Sequence, residues 1–247
     1  MSDYAYQEEV NLPVLAALKR LPTGSSVLDV GCGRAQLGEA ATTLGLHVTG
    51  IELHPDACAV ARGRIDRLVE ADLHDFAAVD AALGDTTFDA VVFSDLLEHI
   101  AWPVEVLRTY AKRVAPGGVV VVSVPNVASW DSRARLLTGR FRYTDTGLMD
   151  RTHLRFFTVD TARELVSDAG LRVVRTDGDP MIARAALPII KGLFARTGQA
   201  SPTAMLESTA YRRYTRWVLP VETLAARVWP RGLWFRIVLV AVPQENQ

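Results

Sequence analysis

The chain has 247 residues, of which 49% are hydrophobic and 22% charged, a globular balance that supports a sizeable core. Its formal net charge of −1 gives no argument for nucleic acid or membrane binding by the chain as a whole. The charge is unevenly distributed, because residues 1–182 carry 18 Lys and Arg against 25 Asp and Glu, whereas residues 183–247 carry nine against three. The sequence therefore predicts a basic C-terminal segment attached to an acidic body.

Cysteine content and apolar runs bear on the compartment. The two cysteines, Cys32 and Cys58, are too few for a disulfide framework and indicate a reducing compartment. The first ten residues lack the basic and apolar regions of a signal peptide. Apolar runs are shorter than the ~20 residues that cross a bilayer, and the best of them are interrupted by Arg184, Lys191 and Arg236. We therefore expect a soluble, cytoplasmic protein.

Hydrophobic periodicity predicts strands and helices that alternate along the chain. The predicted strands are 26–30, 47–52, 67–71, 88–94, 119–124, 171–176 and 233–242. The predicted helices are 4–20 (one or two short helices), 35–44, 55–63, 75–83, 103–114, 130–138 and 159–169. The first five strands are too apolar to be half-exposed, which favours parallel strands covered by helices on both faces.

The alternation breaks at two places. Residues 127–157 form a long, arginine-rich connection, and residues 183–232 form a mostly helical insertion before the last strand. Long connections at the carboxyl side of a sheet usually carry function. Linkers and internal repeats are not evident in the sequence. We therefore predict a single domain over residues 1–247, with a helical cap at residues 1–20 and the two insertions beside the ligand site.

A glycine-containing turn follows the first predicted strand. The stretch 27–38 joins that strand to the next helix through Gly31, Cys32 and Gly33. A strand that feeds a helix through glycines leaves backbone N–H groups open and lets a ligand approach the main chain closely. Asp29 lies at the carboxyl end of the strand, where open α/β sheets bind their ligands. The turn therefore predicts a site for a nucleotide-type cofactor.

The glycines alone do not distinguish a dinucleotide from another cofactor. The dinucleotide fingerprint expects Gly or Ala at its sixth position, where this chain has Gln36. Glu52, at the end of the second strand, suits a carboxylate that accepts from both ribose hydroxyls, and Asp72 follows the third strand, where it suits an exocyclic amine. A helix N-cap is the alternative role for each acid alone, but acids after three successive strands favour an adenosine-type ligand.

With these residues, the chain resembles the class I S-adenosylmethionine-dependent methyltransferases. The resemblance rests on residues 27–38, 51–53, 71–73, 88–100 and 116–126. The likeness implies an α/β fold with a Rossmann-like, doubly wound, seven-stranded sheet. Its last strand is antiparallel, helices cover both faces, and a helical insertion precedes the last strand.

The resemblance also implies a set of contacts to S-adenosylmethionine. The glycine turn lies against the methionine part of the cofactor, the acid at the end of the first strand faces its amino group, and the later acids hold the ribose and the adenine. The cofactor-binding residues implied in this way are Asp29, Gly31, Cys32, Gly33, Glu52, Leu53, Asp72, Leu73 and Ser94. One departure is Ala35, where many members have a third glycine. A dehydrogenase that binds NAD(P) is the alternative.

Methyl transfer needs little acid–base catalysis, because holding the nucleophile in line with the methyl group supplies most of the rate enhancement. A hydroxyl acceptor must still lose a proton, which requires a base or a metal. The candidate bases are His99 and His153, and residues 147–157 resemble a segment of methyltransferases linked to bacterial polysaccharide and glycan synthesis. We therefore expect O-methylation of a sugar, glycan or other small-metabolite hydroxyl, with His153 or His99 as the base and residues 127–157 and 183–232 on the acceptor side.

A bound divalent metal is a less favoured way to promote loss of the proton from the acceptor hydroxyl. Asp95, Glu98 and His99, with the distant His153, resemble the Glu-x-x-Glu-His plus His arrangement that holds a divalent ion in small-RNA 2′-O-methyltransferases. On a helix, Asp95 shares a face with Glu98 or with His99. Leu-Glu-His after the fourth strand is also frequent in related enzymes not known to use metal. Structural roles are the alternative for both histidines: a helix cap or cofactor wall for His99, and a loop-anchoring hydrogen bond for His153.

The sequence leaves the methylated atom and the partners open. N- or C-methylation of a small metabolite, and a catalytically silent S-adenosylmethionine-binding partner, are the alternatives to O-methylation. Nucleic acid is a less favoured acceptor because the cofactor domain is acidic and carries no recognisable nucleic-acid module. The basic insertion 183–232 is either an amphipathic helix packed on the body, which we favour, or a contact with a membrane surface or an anionic acceptor. Arg133, Arg135, Arg140 and Arg142 suit an anionic acceptor or a solubilising face.

Overall fold

The computed structural model describes residues 10–180 and 228–244, together with the single positions 216 and 224. The strands in this part of the chain are β1 Ser26–Val30, β2 His47–Glu52, β3 Arg67–Glu70, β4 Phe88–Ser94, β5 Val114–Pro125, β6 Leu171–Pro180 and β7 Trp234–Pro243. The helices are α1 Leu12–Leu18, α2 Gln36–Thr42, α3 Pro55–Ala61, α4 Phe76–Leu83, α5 Pro103–Ala111, α6 Trp130–Leu137, α7 Val159–Asp168 and α8 Pro230–Leu233, with a 3₁₀ turn at Leu97–His99.

The strands form one seven-stranded sheet in the order β3-β2-β1-β4-β5-β7-β6. Strands β1 to β5 pair in parallel, and β7 is antiparallel to both of its neighbours, β5 and β6. The predicted doubly wound sheet with an antiparallel last strand is therefore confirmed. The direction of winding reverses between β1 and β4, which is where an open α/β sheet forms a ligand crevice beyond the carboxyl ends of its strands.

Two hydrophobic cores form because alternate residues of each strand point to opposite faces of the sheet. On one face Leu28 and Val122 pack with α4, α5 and α7. On the other face Val27 and Val121 pack with α1 and α2. The central strands are thus buried on both sides, which explains their continuous apolar sequence. The prediction of helices on both faces is confirmed.

Several predicted boundaries differ from the structure. The predicted helix 103–114 ends at Ala111, and β5 begins at Val114 because that residue already pairs with Phe88 on β4. The N-terminal helix begins at Leu12, because the side chain of Asn11 caps it by accepting from the N–H of Val14. The part of the predicted cap at residues 1–9 lies outside the described residues.

The predicted insertion 127–157 contains α6 and returns as an irregular connection to the carboxyl end of β5, where Phe157 pairs with Asn126. The N–H of Val127 donates to the carbonyl of Phe157 at 2.8 Å. The carbonyl of Glu98 accepts from the N–H groups of Leu154 and Arg155 at 2.8 and 3.0 Å. These bonds hold the end of the connection against the 3₁₀ turn that follows β4.

The predicted insertion 183–232 lies almost wholly outside the described residues, since only 216, 224 and 228–232 fall within them. Across the described helices, none combines the length and apolarity that crossing a bilayer demands.

Candidate functional site

A cavity of about 500 Å³ opens where the carboxyl ends of β1, β2 and β4 meet. The structure brings the predicted cofactor-binding residues, both candidate bases and the predicted metal ligands to its lining, but not the arginines of the connection 127–157. The predicted residues in the lining are Asp29, Gly31, Cys32, Gly33, Glu52, Leu53, Asp72, Leu73, Ser94, Asp95, Glu98, His99 and His153. We call the part of the cavity formed after β1 to β3, where the sequence predicts the cofactor, the cofactor end. The part formed after β4 with the connection 147–157, where the sequence predicts the acceptor, is the acceptor end.

The glycine turn needs glycine for both conformation and space. Gly31 and Gly33 have φ values of +69° and +56°, in the left-handed region that glycine adopts without strain. A Cβ atom on Gly31 would lie 2.7 Å from a methyl carbon of Leu96. Ala35 adopts the same left-handed region with φ of 57°, at a cost of about 1 kcal/mol. Alanine in place of the family's third glycine is therefore accommodated with a small amount of local backbone strain.

The carboxyl group of Asp29 is the most unusual group at the cofactor end. It is only 2% exposed, and its Oδ1 atom has no hydrogen-bond partner among the described residues. Burial, with a smaller contribution from the Glu52 carboxylate, raises the pKa of Asp29 to about 7. A buried polar atom without a partner costs about 1–3 kcal/mol. A bound ammonium group would supply the missing donor.

Glu52 joins the glycine turn to the end of β2. Its Oε2 atom accepts from the N–H of Gly33 at 2.9 Å. Its Oε1 atom accepts from the N–H groups of Leu53 and His54 at 3.0 and 2.8 Å. The carboxylate is therefore fixed at the cavity wall between the turn and the following loop.

The N-cap alternative for the three acids is wrong in this structure. Helix α2 is capped at Ala35, α3 at His54 and α4 at Asp75, whose side chain accepts from the N–H of Ala78. Asp72 instead accepts from the N–H of His74 at 2.8 Å, and this bond lowers the pKa of Asp72. None of the three strand-ending acids is used to start a helix, which leaves them to face the cavity.

Tyr110 of α5 supports the same wall of the cavity. Its hydroxyl donates to the carbonyl of Leu73 at 2.7 Å, and its ring packs edge to face on Phe76 with centroids 6.0 Å apart. Burial raises the pKa of Tyr110, so the hydroxyl remains a donor. The hydrogen bond from Tyr110 therefore anchors the loop after β3 to α5.

Asp95 belongs to a partly buried hydrogen-bond network that crosses the acceptor end. Its backbone is left-handed, with φ of 50°, and it precedes the 3₁₀ turn. Its carboxylate pairs with Arg236 of β7 at 2.7 Å and accepts from the hydroxyl of Ser123 at 2.8 Å. The amide of Asn11 lies 2.8 Å from the Ser123 hydroxyl and 3.1 Å from that of Ser94.

This network corrects the predicted four-residue metal set. The segment after β4 is a 3₁₀ turn over Leu97–His99, so Asp95 does not share a helix face with Glu98 or His99. Its oxygens are already occupied by Arg236 and Ser123. Among the described residues, the group whose donor atoms lie together is Glu98, His99 and His153, all within 4.8 Å of one another.

The two imidazole rings of this cluster pack edge to face, with centroids 4.8 Å apart. The Nδ1 atom of His153 lies 3.1 Å from the carbonyl of Leu148, and that of His99 lies 3.3 Å from the carbonyl of Thr152. Because a carbonyl only accepts, the Nδ1 atom of His153 carries the hydrogen. The Nδ1 atom of His99 also lies 3.1 Å from the Thr152 hydroxyl, which donates to Asp150 at 2.7 Å, so this Nδ1 is a donor too. Nε2 is therefore the basic atom of each neutral ring.

Burial sets the protonation of the cluster. Burial lowers the pKa of His153. Burial, with a smaller contribution from repulsion by a protonated His153, lowers the pKa of His99. Both rings are therefore neutral near pH 7. Glu98 is 1% exposed and its Oε2 atom has no partner among the described residues. Burial and the nearby Asp95 raise the pKa of Glu98 well above its usual range.

Several lining residues were not assigned to the site from sequence. They are Asn11, Gln36, Leu37, Ile51, His54, Ala71, His74, Leu96, Pro125, Gly147, Asp150, Phe235 and Arg236. Two of them carried usable signals. An Asn before a Pro-containing helix start is a capping signal, and an Arg inside the apolar run of β7 indicates a buried, paired charge.

A family model described as a methyltransferase domain matches residues 3–176. The ubiquinone biosynthesis O-methyltransferase of Xanthomonas campestris pv. campestris (strain B100) is 40% identical over 119 residues, which are 47% of this chain and 49% of that protein. The enzyme of the same name from Xylella fastidiosa (strain 9a5c) is 37% identical over 112 residues, 44% of this chain and 45% of that one. The chain therefore spans about half the length of the curated relatives it matches.

Solved structures agree with the fold. A SAM-dependent methyltransferase from Archaeoglobus fulgidus superposes with a TM-score of 0.59 at 20% identity, covering 96% of this chain and 95% of that one. The magnesium protoporphyrin IX methyltransferase of Synechocystis PCC 6803, with bound SAH, gives 0.55 at 16% identity and covers 94% and 81%. At these identities the likeness establishes the fold alone.

Proposed function

We propose that this chain, which belongs to the S-adenosylmethionine-dependent methyltransferases, transfers the cofactor's methyl group to a hydroxyl oxygen of a sugar, glycan or other small metabolite. The observation that carries the proposal is a single cavity with two chemically different ends. Asp29 and Glu52 line one end, and His153 and His99 line the other. The O-methyltransferase names of the relatives support an oxygen acceptor, and the resemblance of residues 147–157 supports a glycan-type one.

The cofactor end fits S-adenosylmethionine. The orphaned Oδ1 of Asp29 would accept from its ammonium group, and the backbone of Gly31 and Gly33 would lie against its methionine part. Glu52 would accept from the ribose hydroxyls, and Asp72 with Leu53 and Leu73 would hold the adenine. Ser94 would contact the methionine end. When bound, S-adenosylmethionine supplies a methyl group that is already activated by the sulfonium charge.

The chain's own contribution to the chemistry is to position the acceptor and remove its proton. The Nε2 atom of His153 accepts the hydroxyl proton, while the bond from Nδ1 to the Leu148 carbonyl holds the ring in the required tautomer. A neutral ring is available because burial lowers the pKa of His153. The nearby Asp150 and Asp95 carboxylates favour the imidazolium that forms. His99, whose ring contacts that of His153, is the second candidate base.

A divalent ion is the second candidate for activating the hydroxyl. The cluster of Glu98, His99 and His153 favours it, because one carboxylate and two imidazoles within 4.8 Å are ligand types that Mn²⁺ and similar ions accept. In that case turnover would be lost after EDTA treatment and restored by added metal. We expect full activity in EDTA, since a neutral imidazole removes the proton without an ion.

The test of the cofactor is a thermal-shift comparison of S-adenosylmethionine, S-adenosylhomocysteine and NAD(P). We expect the first two to raise the melting temperature and NAD(P) to leave it unchanged. Stabilisation by NAD(P) alone would support a dehydrogenase and contradict the proposal. Binding of S-adenosylmethionine without turnover on glycan and phenol panels would support a silent binding protein instead.

A further inference from the structure

The connection 127–157 presents an unusually open surface. Every residue from 133 to 146 is exposed, and this run includes four large apolar side chains. Leu137 is 88% exposed and Tyr143 is 55% exposed, while Leu136 and Phe141 are each 46% exposed. Single exposed apolar residues are normal, but several within one short segment indicate an interaction surface. We call residues 133–146 the arginine–aromatic segment.

The same segment is basic. It contains Arg133, Arg135, Arg140 and Arg142, with Asp145 as its one acid. Arg135 pairs with Asp131 at 3.3 Å, whereas Arg140 and Arg142 make no ion pair with any residue that the structure describes. These two guanidinium groups flank Phe141, so positive charge and apolar area alternate along the chain.

An aromatic path leads from this segment into the acceptor end of the cavity. The ring of Phe141 lies 5.4 Å from that of Tyr143 and 6.2 Å from that of Phe156. Phe156 in turn lies 6.3 Å from His153, which lines the cavity. The exposed surface is therefore continuous with the site at which the acceptor hydroxyl meets its base.

Charge and apolarity together favour one kind of partner. Anionic lipid surfaces attract arginine through their headgroups and accept aromatic and leucine side chains at the boundary with the acyl chains. A second copy meeting this face about a two-fold axis would place arginines against arginines. A purely polar anion would leave Leu137 and Tyr143 without a partner.

We propose that the arginine–aromatic segment docks on the surface of an anionic lipid bilayer, so that the acceptor reaches His153 from the membrane interface. This inference rests on the proposed function for the role of His153, but vesicle binding requires neither cofactor nor acceptor. It places membrane contact in the connection 127–157, whereas the sequence suggested it for 183–232.

The test is sedimentation of the full chain with vesicles of phosphatidylcholine alone and of phosphatidylcholine mixed with phosphatidylglycerol. We expect binding to the anionic vesicles only, weakening as salt is added. The double variant Arg140→Gln/Arg142→Gln should bind about tenfold more weakly or worse. Leu137→Ser/Tyr143→Ser should also bind more weakly, because it removes the apolar part of the contact.

Matched controls separate the segment from general charge and hydrophobicity. Arg20→Gln/Arg172→Gln removes two exposed arginines elsewhere, and Leu12→Ser/Val174→Ser removes two exposed apolar side chains elsewhere. Both control variants should bind like the parent. Absence of binding to anionic vesicles, or equal losses in the controls, would overturn the inference. So would a dimer that Tyr143→Ser converts to a monomer. Thermal shift by S-adenosylmethionine should be unchanged in all four variants, so the two proposals fail separately.

Discussion

The two ends of the cavity are built in different ways. At the cofactor end, the contacts that shape the site join residues close in sequence, such as the 19-residue separation between Gly33 and Glu52. At the acceptor end, Asn11 reaches Ser123 across 112 residues, and Asp95 reaches Arg236 across 141. The wall of the cofactor end is therefore encoded locally in successive strand ends, whereas the wall of the acceptor end depends on how the whole chain folds.

Replacing His153 with alanine should produce the largest change in catalytic rate without changing cofactor binding. Loss of the base should lower kcat by about 10²–10⁴-fold, while the Kd for S-adenosylmethionine stays near that of the parent. His47, an exposed histidine paired with Asp66, provides a matched control, and His47→Ala should leave both quantities unchanged. Unaltered turnover in His153→Ala would assign the proton transfer to another group.

Breaking the Arg236–Asp95 pair should test the long-range network. Arg236→Met removes a buried cation from the partly buried carboxylates of Asp95 and Asp179, and it should lower the free energy of unfolding by about 3 kcal/mol in urea titrations. Adding Asp95→Asn should recover part of that loss, because the uncompensated charge is removed. The exposed pair Arg62–Glu70 is the control, since Arg62→Met should cost about 0–1 kcal/mol. A loss of similar size in both single variants would contradict the network's importance.

Removing the Asp29 carboxylate should separate stability from cofactor binding. The folded pKa of Asp29 is about 7, above its ordinary value of 3.8, so the folded state binds this proton more tightly than the unfolded state. The parent should therefore lose stability as the pH rises from about 4 to about 7. Asp29→Asn should lack this loss and be the more stable protein above pH ~7, yet gain less stability from S-adenosylmethionine. Identical pH profiles for the two proteins, measured by chemical unfolding, would contradict the assigned pKa.

The smallest effect should come from Tyr110, which supports the loop after β3. Tyr110→Phe removes the donor to the Leu73 carbonyl and should weaken S-adenosylmethionine binding by about 1 kcal/mol, roughly fivefold. The catalytic rate at saturating cofactor should be unchanged, because Tyr110 does not line the acceptor end. Calorimetric titration measures the change in Kd, and a fall in rate without a change in Kd would count against this role.

The local encoding of the cofactor end explains why it was predictable from sequence. The acids Glu52 and Asp72 end strands that alternate with helices, so their common edge follows from the parallel sheet. Predicting that these acids lie at one edge therefore required only the order of strands and helices along the chain. The seven strands, including the antiparallel last one, followed from the family resemblance and the same alternation.

The acceptor end was only partly predictable, for physical reasons. The sequence predicts a helix that places Asp95 beside Glu98 or His99. In the structure Asp95 has a left-handed backbone and pairs with Arg236, so its carboxylate belongs to a structural network instead. Asn11 joins that network from before the first strand, and no local pattern links it to Ser123. His153 was identified from a motif, but its closeness to His99 required the folded connection.

Transfer of a labelled methyl group tests the central claim most directly. The chain is incubated with S-adenosylmethionine labelled in the methyl group and with glycan and phenol acceptors, and the labelled atom of the product is located by NMR. We predict that the label is attached to oxygen and that the rate of its transfer falls by about 10²–10⁴-fold in His153→Ala. Label on nitrogen or carbon, or bound cofactor with no labelled product from any acceptor, would contradict the account.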